Sequence, residues 1–352
     1  TIFSSLLLIW VGKKIDDYKL IYYSTFVIIL LFTSSLIFSF IFNICFLAIG
    51  IFLMRFSGQG LMSHTSTTTI SRFFDKSRGK ALSIIWFGLS SAEFILPVLI
   101  TYLFLYYSWQ TIWQGIALLV IIFLPFVVLN TVKSINLDTR EENKKVYKKI
   151  LIKNWTRTEV IKDYRFYIIS LNMLSMPWIA TGIFVYQSFI SDSKLWDTYT
   201  IPKGFMIYSI TSIITLISSG YLVDKFSSRK LLPLMNIPLL LAMIILYYFN
   251  NEVIAYIFLG LIGISNGLSN VLGSSTWAEI YGVKYIGSIK ALTVGFMVFS
   301  TAFGTAVFGV LIDYNFTIEG ISFLCGSYVL LALVLLIVFK HTLEPIKLRK
   351  LT

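Results

Sequence analysis

Two side chains carry a full charge inside otherwise apolar stretches, and both can do chemistry there. Arg55 lies in the apolar run that starts at Asn43, and Glu93 in the run that starts at Ala81. Wound as helices, both runs bring their charge about 18 Å inward, near the middle of a hydrocarbon core of about 30 Å. A charge facing lipid at that depth costs several kcal/mol, so each must face protein or a water-filled cavity. The Arg55 guanidinium offers fixed, paired donors for a carboxylate or phosphate and stays charged in any surroundings. Gln59, four residues on, shares its face. Glu93 is the group that can take up and release a proton. The structural alternative is an Arg55–Glu93 ion pair that only pins two helices together. His64, nine residues from Arg55, falls on the opposite face and reads as a packed or membrane-edge histidine.

The apolar runs of the second half carry no deep charge. Their polar candidates are Asn172, Trp178, Tyr186 and Gln187 in one run, and Asn266 and Asn270 in another. Each can give a solute a neutral hydrogen bond, or act as interhelical glue at about 0.6–2 kcal/mol per bond. Two histidines and two cysteines are scattered along the chain. They supply neither a nucleophile with its base nor a metal constellation, so no enzyme activity, cofactor or metal is expected.

The elements that must position these residues are helices in a bilayer. The composition is 57% hydrophobic and 13% charged, with a mean hydropathy of +0.82, far outside the range of soluble domains. Apolar runs of about 20 residues recur eleven times, and the ten-residue alternation of a barrel is absent. The first run ends at Trp10, too short to span. The sequence is therefore expected to begin inside a helix. The remaining helices are expected at about 20–42, 43–70, 81–104, a run closing near 131, 164–191, 202–221, 231–248, 253–276, 288–313 and 321–339.

The net charge of +12 is placed by topology and does not indicate nucleic acid. Twenty-six of the 29 Lys and Arg lie at 12–19, 71–80, 132–165, 221–230, 277–290 and in the tail. The opposite loops hold only Lys194 and Lys203, so the basic loops and the C-terminus are expected in the cytoplasm. The organisation read from this is a helix bundle over 1–131, a basic linker over 132–163, a second bundle over 164–340 and a tail over 341–352. Within the linker, Lys144 to Leu151 can form a basic amphipathic helix on the membrane surface, or simply be solvated.

The chain repeats itself. Gly220, Asp224, Lys225, Arg229 and Lys230 stand between two apolar runs, and Gly12 and Asp16 stand in the same place 208 residues earlier. Gly60-Leu61 answers Gly267-Leu268, and Lys80-Ala81-Leu82 answers Lys290-Ala291-Leu292, at nearly the same offset. A Gly-x-x-x-Asp-basic turn in each half resembles the signature loop of the major facilitator superfamily, and Arg55 with Gly58 and Gly60 resembles that family's helix 4 motif. The resemblance implies an all-α membrane fold of two six-helix bundles related by pseudo-two-fold symmetry, with about 11 of 12 helices present, the sequence beginning inside the second helix and helix 1 missing. It implies that Arg55 faces a central cavity and serves proton coupling or anion binding, and that the cavity is lined in part by the helices carrying Asn172 to Gln187 and Asn266 to Asn270. It also implies a cytoplasmic latch. Asp16 and Asp224 would each meet the positive N-terminal end of a helix in the other half, supplemented by Lys225, Arg229 and Lys230.

The function expected is secondary transport of a small solute by alternating access, in its specific form the proton-coupled movement of an organic anion. The alternatives are efflux of a cationic or amphipathic solute and, in another class, a membrane receptor or scaffold that does not transport. A monomer in a bacterial inner membrane is expected, with protons and lipid as its partners.

Overall fold

The computed structural model describes residues 2–74, 76–134, 153–197 and 199–346. The regular structure of these residues is helical throughout. In the first half, α1 (Ile2–Val11) runs into a 3₁₀ turn at Gly12–Asp16. α2 (Leu20–Ser39), α3 (Ile44–Phe73), α4 (Arg78–Leu103) and α5 (Trp109–Ser134) follow. A short α6 (Arg157–Lys162) precedes the second half. That half holds α7 (Tyr164–Val185), α8 (Gln187–Lys194), α9 (Thr200–Phe226), α10 (Ser228–Tyr248), α11 (Glu252–Tyr281), α12 (Ile286–Asp313) and α13 (Ile318–Val338). Among the described residues, ten helices are long and apolar enough to cross a membrane. This is an all-α membrane protein. The stretch Lys144 to Leu151 lies outside the described residues.

Local chemistry sets the helix starts. Asn43 accepts from the Phe46 amide at 2.9 Å, Asn251 from Val253 at 2.9 Å and Thr317 from Gly320 at 3.3 Å. These side chains satisfy amides that the first turn leaves without partners, and so permit tight connections between helices. α3 is not uniform: residues Arg55–Met62 wind as a π-helix between two α-helical stretches. Wide turns of this kind are rare and concentrate at functional sites.

Two boundaries differ from the sequence expectation. The Gly220 to Asp224 motif is not a loop. α9 continues through it to Phe226, and the reversal is made by Ser227 alone at φ 79°. Four-residue spacing then sets Gly220 and Asp224 on one face, turned toward α4. The expected helix over 164–191 breaks at Tyr186. Beyond the break, α8 and the following loop are held by tertiary bonds. Buried Lys194 donates to Asn250 Oδ1 and Glu319 Oε1, both at 2.7 Å, and Trp196 Nε1 donates to the Asn250 carbonyl at 2.7 Å.

The halves meet along two matching crossings, α1 with α12 and α9 with α4. These pairs occupy equivalent places in the repeat, so the interface keeps the internal symmetry of the sequence.

Candidate functional site

At the end where the basic loops gather, both crossings close on the same device. Asp224 Oδ1 accepts from the Gly79 amide at 2.7 Å, and Oδ2 from the Lys80 amide at 3.1 Å. Asp16 accepts from the Gly287 amide at 3.1 Å and the Ser288 amide at 2.7 Å. Each carboxylate therefore sits on the positive first turn of a helix in the other half, where a negative charge is favoured. The glycines make this approach possible. A Cβ at Gly79 would fall 2.9 Å from Asp224 Oδ1, and one at Gly287 2.8 Å from Asp16 Cγ.

The two docks are not equal. Asp16 also pairs with Arg72, which is buried. Burial pushes the Asp16 carboxyl above the usual aspartate range, opposed by Arg72 and the two amides. His64, fully buried, places Nε2 2.9 Å from the Gly287 carbonyl; a carbonyl only accepts, so Nε2 carries the proton. Arg157 on α6 adds a bond to the Ile9 carbonyl of α1 at 3.0 Å. Lys225, Arg229 and Lys230 do not join either dock. Lys225 lies over the Phe226 ring at 5.2 Å, Lys230 is exposed, and Arg229 pairs within its own half with Glu279 at 3.1 Å and Glu344 at 3.5 Å. The physical reason is that α9 runs on through Asp224 to Phe226, so Lys225 falls about 100° round the helix from Asp224, and Arg229 and Lys230 lie beyond the reversal at Ser227.

Between the halves lies a cavity of 590 Å³ walled by α3, α4, α7, α9, α11 and α12. This size suits a small molecule. Its polar wall includes Gln59, Ser63, Thr67, Glu93, Asn266, Asn270, Ser274, Lys290 and Thr293, interleaved with Trp86, Phe184, Tyr208, Trp277 and Phe296.

Of the sequence candidates, Gln59, Glu93, Asn266 and Asn270 lie on this wall. Glu93 is open to it, and among the described residues no cation pairs with it. Asn266 donates to Ser212 Oγ at 3.0 Å. Arg55 is the next position on the stripe of residues 59, 63 and 67, but it lies beyond the point where the wall ends. Its exposed guanidinium turns back to donate to Gln59 Oε1 at 2.5 Å. No Arg55–Glu93 ion pair forms among the described residues. Asn172 is fully buried away from the wall, donating to the Ala332 carbonyl at 2.7 Å and accepting from Asn236 at 3.1 Å. Trp178 packs against Phe303, Phe308 and Tyr328, and Tyr186 stacks on Phe308. Gln187 opens α8 beyond the cavity.

Sequence reasoning missed Lys290. Its place at the edge of a basic loop suggested a solvated cation, yet it is 2% exposed on the cavity wall. The signal available was its counterpart surface. α3 carries hydroxyl side chains at 63, 65–69 and 71, too many for a helix that faces only lipid or apolar neighbours. Two of these residues receive the lysine: Lys290 Nζ donates to the Thr67 carbonyl and to Ser71 Oγ, each at 2.8 Å.

The comparisons with known proteins agree with the architecture. The chain is 16% identical to a bacterial homologue of the iron transporter ferroportin, solved in an outward-facing state, with a TM-score of 0.66 over 96% of this chain and 87% of that one. It is 14% identical to the proton:xylose symporter XylE bound to 6-bromo-6-deoxy-D-glucose, with a TM-score of 0.67 over 96% and 84%. At such identities the likeness concerns the fold. No curated protein matches the sequence. The profile of the Major Facilitator Superfamily matches twice, over residues 1–203 and 198–351. With the repeat, the paired docks and the cavity between the halves, this places the chain in the major facilitator superfamily of secondary transporters.

Proposed function

We propose that the protein moves a small solute by alternating access with Glu93 as its proton carrier, and that the solute is cationic or amphipathic. The observation that carries this reading is a cavity whose one carboxylate, Glu93, has no basic partner among the described residues. An acid on the same wall as Tyr208, with Phe184 packed against that ring, supplies the two elements that recognise an organic cation, an opposite charge and aromatic faces. Proton and cation then compete for one carboxylate, which couples their movements in opposite directions. Asp16 and Asp224 would hold the basic-loop end shut while the solute enters from the other side, and their release would let the halves rock. By the charge bias of the loops, the docked end is cytoplasmic.

A second reading, proton-coupled movement of an organic anion, is favoured by Arg55. Its exposed guanidinium lies one turn beyond Gln59, where it would meet an entering carboxylate. An anion would be admitted only with Glu93 protonated, so proton and solute would travel together.

The test is flux in proteoliposomes under an imposed proton gradient, with a panel of labelled organic cations and carboxylates. The proposal expects gradient-driven cation movement that is lost in Glu93→Gln. Gradient-driven carboxylate flux that fails in Arg55→Ala, and that loses its gradient dependence in Glu93→Gln while carboxylate exchange persists, would overturn the cation reading in favour of the second.

A further inference from the structure

The basic group on the cavity wall is not placed to serve the solute bound at Glu93. The docks set Gly79 and Lys80 against Asp224 as they set Gly287 and Ser288 against Asp16, so Ser288 is the structural counterpart of Lys80 and Lys290 lies two residues farther into its helix. Glu93 stands 13 residues beyond Lys80 on α4, which sets it roughly 16 Å farther along the helix direction than Lys290. No small solute spans that distance. Lys290 therefore belongs to a separate place, the cavity floor.

That place holds an ammonium buried among neutral acceptors. Lys290 Nζ gives one hydrogen to the Thr67 carbonyl and one to Ser71 Oγ. When protonated, the amine has three donors, and the third then has no acceptor among the described residues. Among the described residues no carboxylate pairs with it. Its charged and titratable surroundings are basic, Arg78 being near enough to repel it and the His64 imidazole lying close by. Asp16, the acid of this arm, is engaged by Arg72 and the first turn of α12. Removing a cation from water without an anion beside it is strongly unfavourable.

The same wall offers a second donor. Ser71 Oγ also reaches the Ser274 carbonyl at 3.3 Å, which sets Ser274 beside the lysine. Ser274 Oγ accepts from Trp86 Nε1 at 3.3 Å, and its own hydrogen has no acceptor among the described residues. Both Lys290 and Ser274 line the cavity.

We propose that the cavity floor is a binding site for a compact monovalent anion, held by the third Lys290 donor and the Ser274 hydroxyl, and separate from the solute site at Glu93. The anion neutralises the buried ammonium while the two halves are docked. A halide and a short carboxylate share this chemistry.

The experiment uses the whole protein in detergent at constant ionic strength. Chloride or acetate replaces gluconate while intrinsic tryptophan fluorescence and the thermal unfolding midpoint are followed. Trp86, bonded to Ser274, reports the site directly. The wild-type protein is expected to show a saturable response to chloride, to acetate or to both, the pattern distinguishing a halide from a carboxylate site. Lys290→Met is expected to weaken the apparent affinity at least tenfold, Ser274→Ala several-fold, and Lys290→Arg less than Lys290→Met. Glu93→Gln is expected to leave it unchanged, so loss of the proton-coupling reading would not affect this result. An equal response in Lys290→Met and the wild type, or no response in any variant, would overturn the proposal. Should Lys290→Met fail to fold, an undiminished response in Ser274→Ala would do the same.

Discussion

Loss of the Asp16 carboxylate is expected to open the basic-loop end of the protein more than loss of Asp224. In Asp224→Ala, two amides of the first turn of α4 lose a charged acceptor. Bonds to charged groups contribute about 1.5–3 kcal/mol net each, but these amides can rehydrate once the halves part, so about 2–3 kcal/mol in total is expected. Asp16→Ala removes the equivalent pair of bonds to Gly287 and Ser288 and also strands the guanidinium of Arg72, which is 9% exposed. Breaking a buried ion pair from one side costs about 3–5 kcal/mol. A shift of about 3 kcal/mol alters a two-state equilibrium by roughly 100-fold, enough to invert any closed preference weaker than that. Spin labels at exposed Lys14 and Lys284 straddle the α1–α12 crossing, and pulsed dipolar spectroscopy gives their distance distribution. The expected result is a longer population that dominates in Asp16→Ala and is smaller in Asp224→Ala. Superimposable distributions in wild type and Asp16→Ala would refute the reasoning that the carboxylate holds this end shut.

Three further outcomes follow from other parts of the molecule. Gly267 packs so closely on α9 that a Cβ would fall 2.6 Å from the Ser212 carbonyl oxygen and 2.8 Å from the Leu216 amide; Gly267→Leu is expected to cost about 3 kcal/mol or more, read as a lower unfolding midpoint and poor recovery from the membrane. Lys194→Met keeps the stem but removes the bonds to Asn250 and Glu319, and because Glu319 can hydrate, a loss of about 1–2 kcal/mol is expected, with faster proteolysis of the loop that follows α8. The Glu159 carboxyl is held down at about 2 by Lys153 and by the Thr156 amide and hydroxyl, in a capping box that starts α6. A depressed folded-state value stabilises above the unfolded value near 4.5 and loses that effect as pH falls toward 2, so amide exchange at 156–162, corrected for intrinsic rates, is expected to accelerate across that window in wild type and not in Glu159→Gln.

Much of this architecture was legible because the bilayer leaves so few options. Apolar length marked the helices, cation bias marked the ends, and the 208-residue offset marked the duplication. Spacing also marked out Gln59, and the structure lines the cavity with it and with Ser63 and Thr67 on the same stripe. What spacing could not supply was where along that face the wall ends. Arg55 therefore read as a cavity residue although it lies beyond the wall. Asn172 and Trp178 show a second limit, since a polar atom in a membrane helix is equally suited to a solute or to a neighbouring helix. Asn172 meets Asn236 and Ala332, partners distant in sequence. Lys290 shows a third. Lys80 matches it in the Lys-Ala-Leu motif, but the docks pair Lys80 with Ser288; the two-residue shift leaves Lys80 exposed over the Tyr221 ring at 5.6 Å and turns Lys290 into the cavity wall. The opposing hydroxyl face of α3 receives it.

The most direct test of the account concerns Glu93. Proteoliposomes loaded with a pH-sensitive dye would be given an outward solute gradient, and proton movement would be recorded together with solute counterflow in wild type and Glu93→Gln. The account predicts solute-driven proton flux in the wild type, opposite in direction to a cationic solute, and its disappearance in Glu93→Gln even where counterflow of labelled solute persists. Solute-driven proton flux of wild-type size in Glu93→Gln would contradict the assignment of Glu93 as the proton carrier.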